Sequence, residues 1–146
     1  MAAQRPRLVL IVDDDPLDIG TMQKILESTK EFKVIAAVDY DEAVRVFAPR
    51  GRKIELALID VALPGKNGVE LAKRLLATNP ALRVLFVSGH VGASVIRFYG
   101  VNADDEHFLQ KPFDNDRLME RVRQALSSQQ PLRFTLSATG SSEDKP

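Results

Sequence analysis

The chain has 146 residues, with 20 basic residues against 20 acidic ones and no cysteine. This length is enough for one domain with a hydrophobic core. The balanced charge favours neither nucleic acid nor an anionic membrane as a partner, and the missing cysteine excludes disulfides and thiolate-bound metals. No apolar stretch approaches the roughly 18 residues that a membrane span needs. We therefore expect a soluble cytoplasmic protein that binds neither nucleic acid nor a membrane.

The hydrophobic pattern predicts an alternation of short strands and helices, because short apolar runs are typical of buried strands and a period near 3.6 is typical of helices. In chain order, the predicted elements are a strand at 8–12, a helix at 15–28, a strand at 32–38, a helix at 41–48, a strand at 54–59, a helix from Val69 that ends before Asn79, a strand at 83–87, a weak helix at 92–100, a strand at 107–110 and a helix that begins after Asp114. Strict alternation of five strands with five helices predicts an α/β fold with a parallel sheet covered on both faces.

Acidic residues mark the predicted starts of the first two helices. Asp15 is followed by Pro16, and these two residue types suit the N-cap and the first helical position. Asp18 then favours the first turn of that helix, where carboxylates interact well with the helix dipole. Asp39 and Glu42 have the spacing of a capping box.

The ends of the chain differ in composition from its centre. We divide the chain into an N-terminal extension at 1–6, a domain at 7–126 and a C-terminal segment at 127–146. The last segment is rich in Ser, Thr, Gln and Pro, which predicts a mobile tail, although alternating apolar residues at 132–136 leave a strand open. About twenty residues are too few for an output domain, so we expect output to another protein or a chain that is part of a longer one.

The ends of the predicted strands carry the candidate chemistry, since ligands of parallel sheets bind beyond the carboxyl ends of the strands. These positions are occupied by Asp13 and Asp14, Asp60, Ser88, and Lys111. Two carboxylates about 4 Å apart repel each other by roughly 4 kcal/mol at an effective dielectric near 20. A cation is therefore expected among them, and oxygen ligands with open positions suit Mg²⁺.

Carboxylates, Mg²⁺, a lysine and a hydroxyl together suit phosphoryl transfer, which depends on positioning and on neutralising charge. Because the chain has no cysteine, the candidate acceptor is a carboxylate, and aspartate is a known site of acyl-phosphate formation.

Taken in order, these motifs resemble the receiver domain of two-component response regulators over residues 7–126. In that family an acidic pair follows the first strand, a phosphoacceptor Asp the third, a Ser or Thr the fourth and Lys-Pro the fifth. The matching residues here are Asp13-Asp14, Asp60, Ser88 and Lys111-Pro112. The resemblance implies a flavodoxin-like, doubly wound sheet with strand order 2-1-3-4-5.

The resemblance also implies a partner and a cofactor. Asp60 would take phosphate from a phosphohistidine on a histidine kinase or a histidine phosphotransfer protein. Mg²⁺ would be held by Asp14, Asp60 and the backbone carbonyl of Ala62, and through water by Asp13. The domain would catalyse only its own phosphorylation and dephosphorylation, and it would signal to a downstream protein that the sequence does not identify.

Further residues are implied as parts of a switch. Ser88 would be drawn toward the phosphoryl group, and Phe108 would turn from exposed to buried. The Lys111-Pro112 bond would be cis. Segments 88–90 and 108–113 are similar to those of receivers in hybrid sensor kinases, while a stand-alone single-domain regulator remains equally compatible.

Three alternatives stay open at this point. The acidic pair could be Asp14 and Asp15 instead of Asp13 and Asp14. Asp13-x-Asp15 with Ser88 and Lys111 loosely fits a haloacid-dehalogenase-like phosphatase, which would leave Asp60 without a role. The third alternative is a receiver-like adaptor that binds partners without phosphorylation.

Overall fold

The structure is a computed structural model that describes residues 5–89 and 107–127. Its elements are β1 (Arg7–Val12), α1 (Pro16–Glu27), β2 (Phe32–Ala37), α2 (Tyr40–Phe47), a 3₁₀ turn (Ala48–Arg50), β3 (Ile54–Asp60), α3 (Gly68–Thr78), β4 (Arg83–Ser88), β5 (Phe108–Gln110) and α4 (Asn115–Ser127). The helix predicted at 92–100 and the tail from residue 128 onward lie outside the described residues.

The five strands form one parallel sheet in the order β2-β1-β3-β4-β5, which confirms the predicted topology. Alternate residues of β3 pack on opposite faces. Leu56 and Leu58 belong to a core with α1 and α4, whereas Ala57 and Ile59 belong to a core with α2 and α3. The central strands are therefore buried on both sides, which explains why they read as continuous apolar runs.

The N-caps form as predicted. Asp15 accepts a hydrogen bond from the N–H of Leu17 at 2.9 Å, and Asp39 accepts one from the N–H of Glu42 at 2.8 Å. Asp114 caps α4 in the same way. In residues 5–89 and 107–127, no helix combines the length and the apolar character that crossing a membrane requires.

Strand β2 ends one residue earlier than predicted. The backbone N–H of Val38 donates to the carboxylate of Glu42 at 2.8 Å, so it serves the cap of α2, and its side chain is exposed. Helix α2 begins at Tyr40 and ends at Phe47, one residue earlier at each end than predicted.

The loop after β3 is fixed by close packing at Gly68. Its N–H donates to the carbonyl of Val61 at 2.9 Å. An added Cβ would overlap the carbonyl oxygen of Asp60 and lie 2.8 Å from a methyl carbon of Ile59. The start of α3 can therefore lie directly against the end of β3 only because residue 68 has no side chain.

We expect Gly68→Ala to lower the free energy of unfolding by about 1–3 kcal/mol, since the new methyl group overpacks the backbone of β3. Gly20→Ala is the matched control, because nothing lies within 4 Å of a Cβ there and Gly20 is exposed inside α1. It should raise stability by about 0.5–1 kcal/mol. Urea unfolding measures both variants, and a Gly68→Ala protein as stable as wild type would contradict the close contact.

Candidate functional site

The predicted site residues meet at one edge of the sheet. Asp13 follows β1, Asp60 ends β3, Ser88 ends β4 and Lys111 follows β5. Because the strands are parallel, these four ends share an edge. Asp13 is 1% exposed, Asp60 7% and Ser88 4%, so the edge is a buried polar site and not a solvated turn.

Three carboxylates come together there. One oxygen from each of Asp13, Asp14 and Asp60 lies within 4.8 Å of the others. Asp13 and Asp60 are buried, whereas Asp14 is exposed. All the potential ligand atoms in this set are carboxylate oxygens, and the exposed Asp14 leaves one side of the cluster accessible to solvent. Mg²⁺ prefers such oxygen ligands and usually keeps several water ligands as well. The acidic residues that converge are therefore Asp13 and Asp14, which favours this pair over Asp14 and Asp15.

The ammonium of Lys111 lies among the carboxylates. Its Nζ atom donates to Asp13 at 3.0 Å and to Asp60 at 3.3 Å. A third hydrogen bond, 2.9 Å long, goes to Asp18 of α1. An ammonium has three N–H donors, so these three acceptors account for all of them. The charge of Lys111 is thus shared between two strand ends and a helix.

Backbone amides orient the two buried carboxylates. Oδ1 of Asp13 accepts from the N–H of Asp15, and Oδ1 of Asp60 accepts from the N–H of Ala62, both at 2.9 Å. In each case Oδ2 is the oxygen that contacts Lys111. These turns, in which Asp binds the backbone two residues ahead, leave one oxygen of each carboxylate directed at the cation.

The surroundings of the site shift the pKa values of Asp13 and Lys111. Burial raises the pKa of Asp13, and this effect is partly offset by the hydrogen bond from the Asp15 N–H and by Lys111. Burial alone would lower the pKa of Lys111, but its hydrogen bonds to Asp18 and Asp13 and the nearby charge of Asp60 outweigh burial and raise that pKa. Lys111 is therefore a permanent cation at neutral pH.

The remaining predicted residues lie beside this cluster. The backbone N–H of Lys111 donates to the carbonyl of Ser88 at 2.8 Å, and the Lys111-Pro112 bond is cis, as the resemblance implied. Phe108 is half-buried, pairs with Phe86 of β4 and packs against the core on the α2 and α3 face. The role of the Ala62 carbonyl and the switch roles of Ser88 and Phe108 stay predictions.

Asp18 is a site residue that was not predicted from the sequence. Its predicted place was only the first turn of α1, where the residue does lie. The available signal was its position, because Asp18 lies in the first turn of a helix that begins shortly after the acidic strand end. Lys111 is 93 residues away along the chain, so no local pattern predicts their contact.

The strand order β2-β1-β3-β4-β5 is that of a flavodoxin-like fold, here with an acidic site around Lys111. A profile of the response regulator receiver domain matches residues 9–123. The transcriptional regulatory protein CpxR of Escherichia coli is 30% identical over 118 residues, which are 81% of this chain and 48% of CpxR. Protein PetR of Rhodobacter capsulatus is 35% identical over 126 residues, which are 86% of this chain and 51% of PetR.

A solved structure agrees with these relatives. The receiver domain of NtrX from Brucella abortus superposes with a TM-score of 0.66 at 31% identity, over 82% of this chain and 98% of that one. The chain therefore belongs to the response regulator receiver domain family of two-component signalling. Receiver domains are generally not enzyme domains, and the phosphatase alternative has no support. The chain spans about half the length of CpxR and PetR.

We expect Lys111→Met to destabilise the protein in Mg²⁺-free buffer by about 1–3 kcal/mol, because buried Asp13 and Asp60 lose their cation. Added Mg²⁺ should restore part of this loss by replacing the missing positive charge. Lys33→Met, at an exposed position of β2, is the control and should change stability little. Thermal unfolding with EDTA and with Mg²⁺ measures the effect. Equal stability of Lys111→Met and wild type in EDTA would show that the ammonium is not needed there.

Proposed function

We propose that Asp60 accepts a phosphoryl group from a phosphohistidine on a histidine kinase or a histidine phosphotransfer protein. The observation that carries this proposal is the convergence of the carboxylates of Asp13, Asp14 and Asp60 with the ammonium of Lys111. Membership of the receiver family supplies the reaction class. The lack of cysteine, which fits a reducing compartment, supports a cytoplasmic location for the reaction.

The transfer exchanges one bond for another. A carboxylate oxygen of Asp60 attacks the phosphorus, the phosphorus–oxygen bond forms, and the phosphorus–nitrogen bond to the donor histidine breaks. The electron pair stays on the imidazole, which is neutralised by a proton from solvent. Attack of water on the same phosphorus later releases inorganic phosphate and regenerates Asp60. In this proposal the domain catalyses these two steps on itself and acts on no other substrate.

Mg²⁺ is the cofactor that the donor set fits. Asp14, Asp60 and the carbonyl of Ala62 would hold it directly, and Asp13 would hold it through water. When bound, the ion supplies positive charge for the phosphoryl oxygens. The all-oxygen cluster and its net negative charge support this assignment.

Lys111 and Ser88 are the groups that we assign to the phosphoryl oxygens. Lys111 already contacts Asp60, and Ser88 ends the neighbouring strand with a buried side chain. Charge-assisted hydrogen bonds of this kind are worth roughly 1.5–3 kcal/mol each, enough to change the populations of two conformations. We propose that Phe108 follows Ser88 and that the altered face binds a downstream protein, with no nucleic acid contacted by this domain.

Phosphorylation can be tested by intact mass after incubation with Mg²⁺ and acetyl phosphate. Wild type should gain one phosphate, and Asp60→Asn should gain none because the acceptor oxygen is lost. Asp41→Asn, an exposed position in the first turn of α2, should behave as wild type. Neutral hydroxylamine should remove the phosphate, since it cleaves acyl phosphates but not phosphoserine. Phosphorylation of Asp60→Asn would overturn the assignment of the acceptor.

We expect Asp14→Ala to be more stable than wild type in EDTA, since it removes one charge from a repulsive cluster. The rise in Tm should be small, about 2 °C, because Asp14 is exposed and its charge is screened. The same variant should lose Mg²⁺-dependent phosphorylation. Asp41→Ala is the control for both measurements, and an Asp14→Ala protein that melts below wild type in EDTA would contradict the picture of mutual repulsion.

A further inference from the structure

Asp18 differs from the other two acceptors of Lys111. It lies on α1 and not at a strand end, its side chain is 42% exposed, and it forms the shortest of the three contacts at 2.9 Å. Asp18 is also absent from the group of carboxylates that could hold one metal ion, which consists of Asp13, Asp14 and Asp60. It is therefore the acceptor of Lys111 that a metal in this cluster would not engage.

A bound metal ion and Lys111 would compete for the carboxylates of Asp13 and Asp60. Oδ2 of Asp13 and Oδ2 of Asp60 both contact the ammonium of Lys111, and both residues belong to the group that could bind a metal. A divalent ion held by this group would attract the two carboxylates and repel the ammonium of Lys111. Without another anion, binding of the metal would tend to expel Lys111 from the site.

We propose that Asp18 is a positioning residue that anchors Lys111 outside the metal cluster, so that the ammonium and Mg²⁺ occupy the site together. This inference rests on the proposed function. When the metal engages Asp60 directly and Asp13 through water, the contact of Lys111 with Asp18 persists. Two N–H donors of Lys111 then become available to an anion on Asp60, while the ammonium stays beside it.

The local structure gives Asp18 a fixed place from which to do this. The cap at Asp15 holds the first turn of α1, with the N–H of Ile19 donating to the carbonyl of Asp15 at 3.1 Å. A cavity of about 200 Å³ adjoins Asp18 and Lys111, so the ammonium can shift toward α1 without repacking the core. Asp18 is partly exposed, so its carboxylate can keep the contact with Lys111 while the other two carboxylates rearrange.

A simpler role for Asp18 is to stabilise the first turn of its helix through the helix dipole. Asp41 occupies the same kind of position in the first turn of α2, is exposed, and contacts neither Lys111 nor the metal cluster. The pair Asp18→Asn and Asp41→Asn therefore separates the two roles, because both variants remove one charge from a helix start and keep the side-chain shape.

The test is an Mg²⁺ titration of the full chain, followed by backbone amide NMR and by the side-chain ammonium signal of Lys111. In Asp18→Asn the dissociation constant for Mg²⁺ should rise about threefold to fivefold, as expected for loss of a partly exposed ion pair. The slowly exchanging ammonium signal of Lys111 should survive Mg²⁺ in wild type and disappear in Asp18→Asn. Asp18→Glu should restore much of both properties, and Asp41→Asn should match wild type.

Two results would overturn the inference. One is an Asp18→Asn protein with wild-type Mg²⁺ affinity and a persistent ammonium signal. The other is an equal loss of Mg²⁺ affinity in Asp18→Asn and Asp41→Asn, which would show that removing a negative charge from either helix start is enough to cause the loss. Phosphorylation of wild type on Asp60 alongside either result would leave the proposed function standing. Failure of wild type to be phosphorylated would count against that function alone, because the Mg²⁺ titration measures the effect of the contact between Asp18 and Lys111 directly.

Discussion

The site depends on a single ammonium placed among carboxylates that repel one another. Asp13 and Asp60 are buried at neighbouring strand ends with carboxylate oxygens within 4.8 Å of each other, and two like charges at that distance repel by roughly 3–4 kcal/mol at an effective dielectric near 20. Lys111 offsets part of this repulsion through direct hydrogen bonds. Three clustered carboxylates and one ammonium still leave an excess of negative charge. This excess of negative charge is of the kind that a divalent cation can neutralise.

The two-sided core makes this arrangement possible. Strands β1 and β3 are buried on both faces by helices, so their carboxyl ends are held at a fixed spacing and register. Polar groups appear where the apolar runs stop, at Asp13 and at Asp60. The burial of the apolar strands therefore stabilises an arrangement of carboxylates that would move apart if they lay on an open loop.

Much of this architecture could be predicted from particular residues. A buried strand that stops at a carboxylate, as at Asp60, is a local pattern, and so is an N-cap such as Asp15 or Asp39. The capping box was less predictable in detail, because Glu42 reaches the N–H of Val38, one residue before the cap, and thereby ends β2. The order of the strands followed from the family resemblance, since alternation alone does not fix it.

Contacts between distant segments were the part that sequence patterns did not reveal. Asp18 and Lys111 are brought together only when α1 and the loop after β5 pack on the same side of the sheet. Helical periodicity gives the direction of a side chain and says nothing about which other segment covers it.

The contact between Gly68 and the end of β3 has a consequence for engineering. Both ends of the segment from Val61 to Gly68 are held in place, because Gly68 lies against the carbonyl of Asp60 and donates its N–H to the carbonyl of Val61. Residues inserted next to Gly68 would disturb the backbone that carries Asp60. The exposed turn at 28–31, beside the start of β1 at the opposite edge of the sheet, is free of this restriction. A reporter peptide or a circularly permuted terminus belongs at that turn.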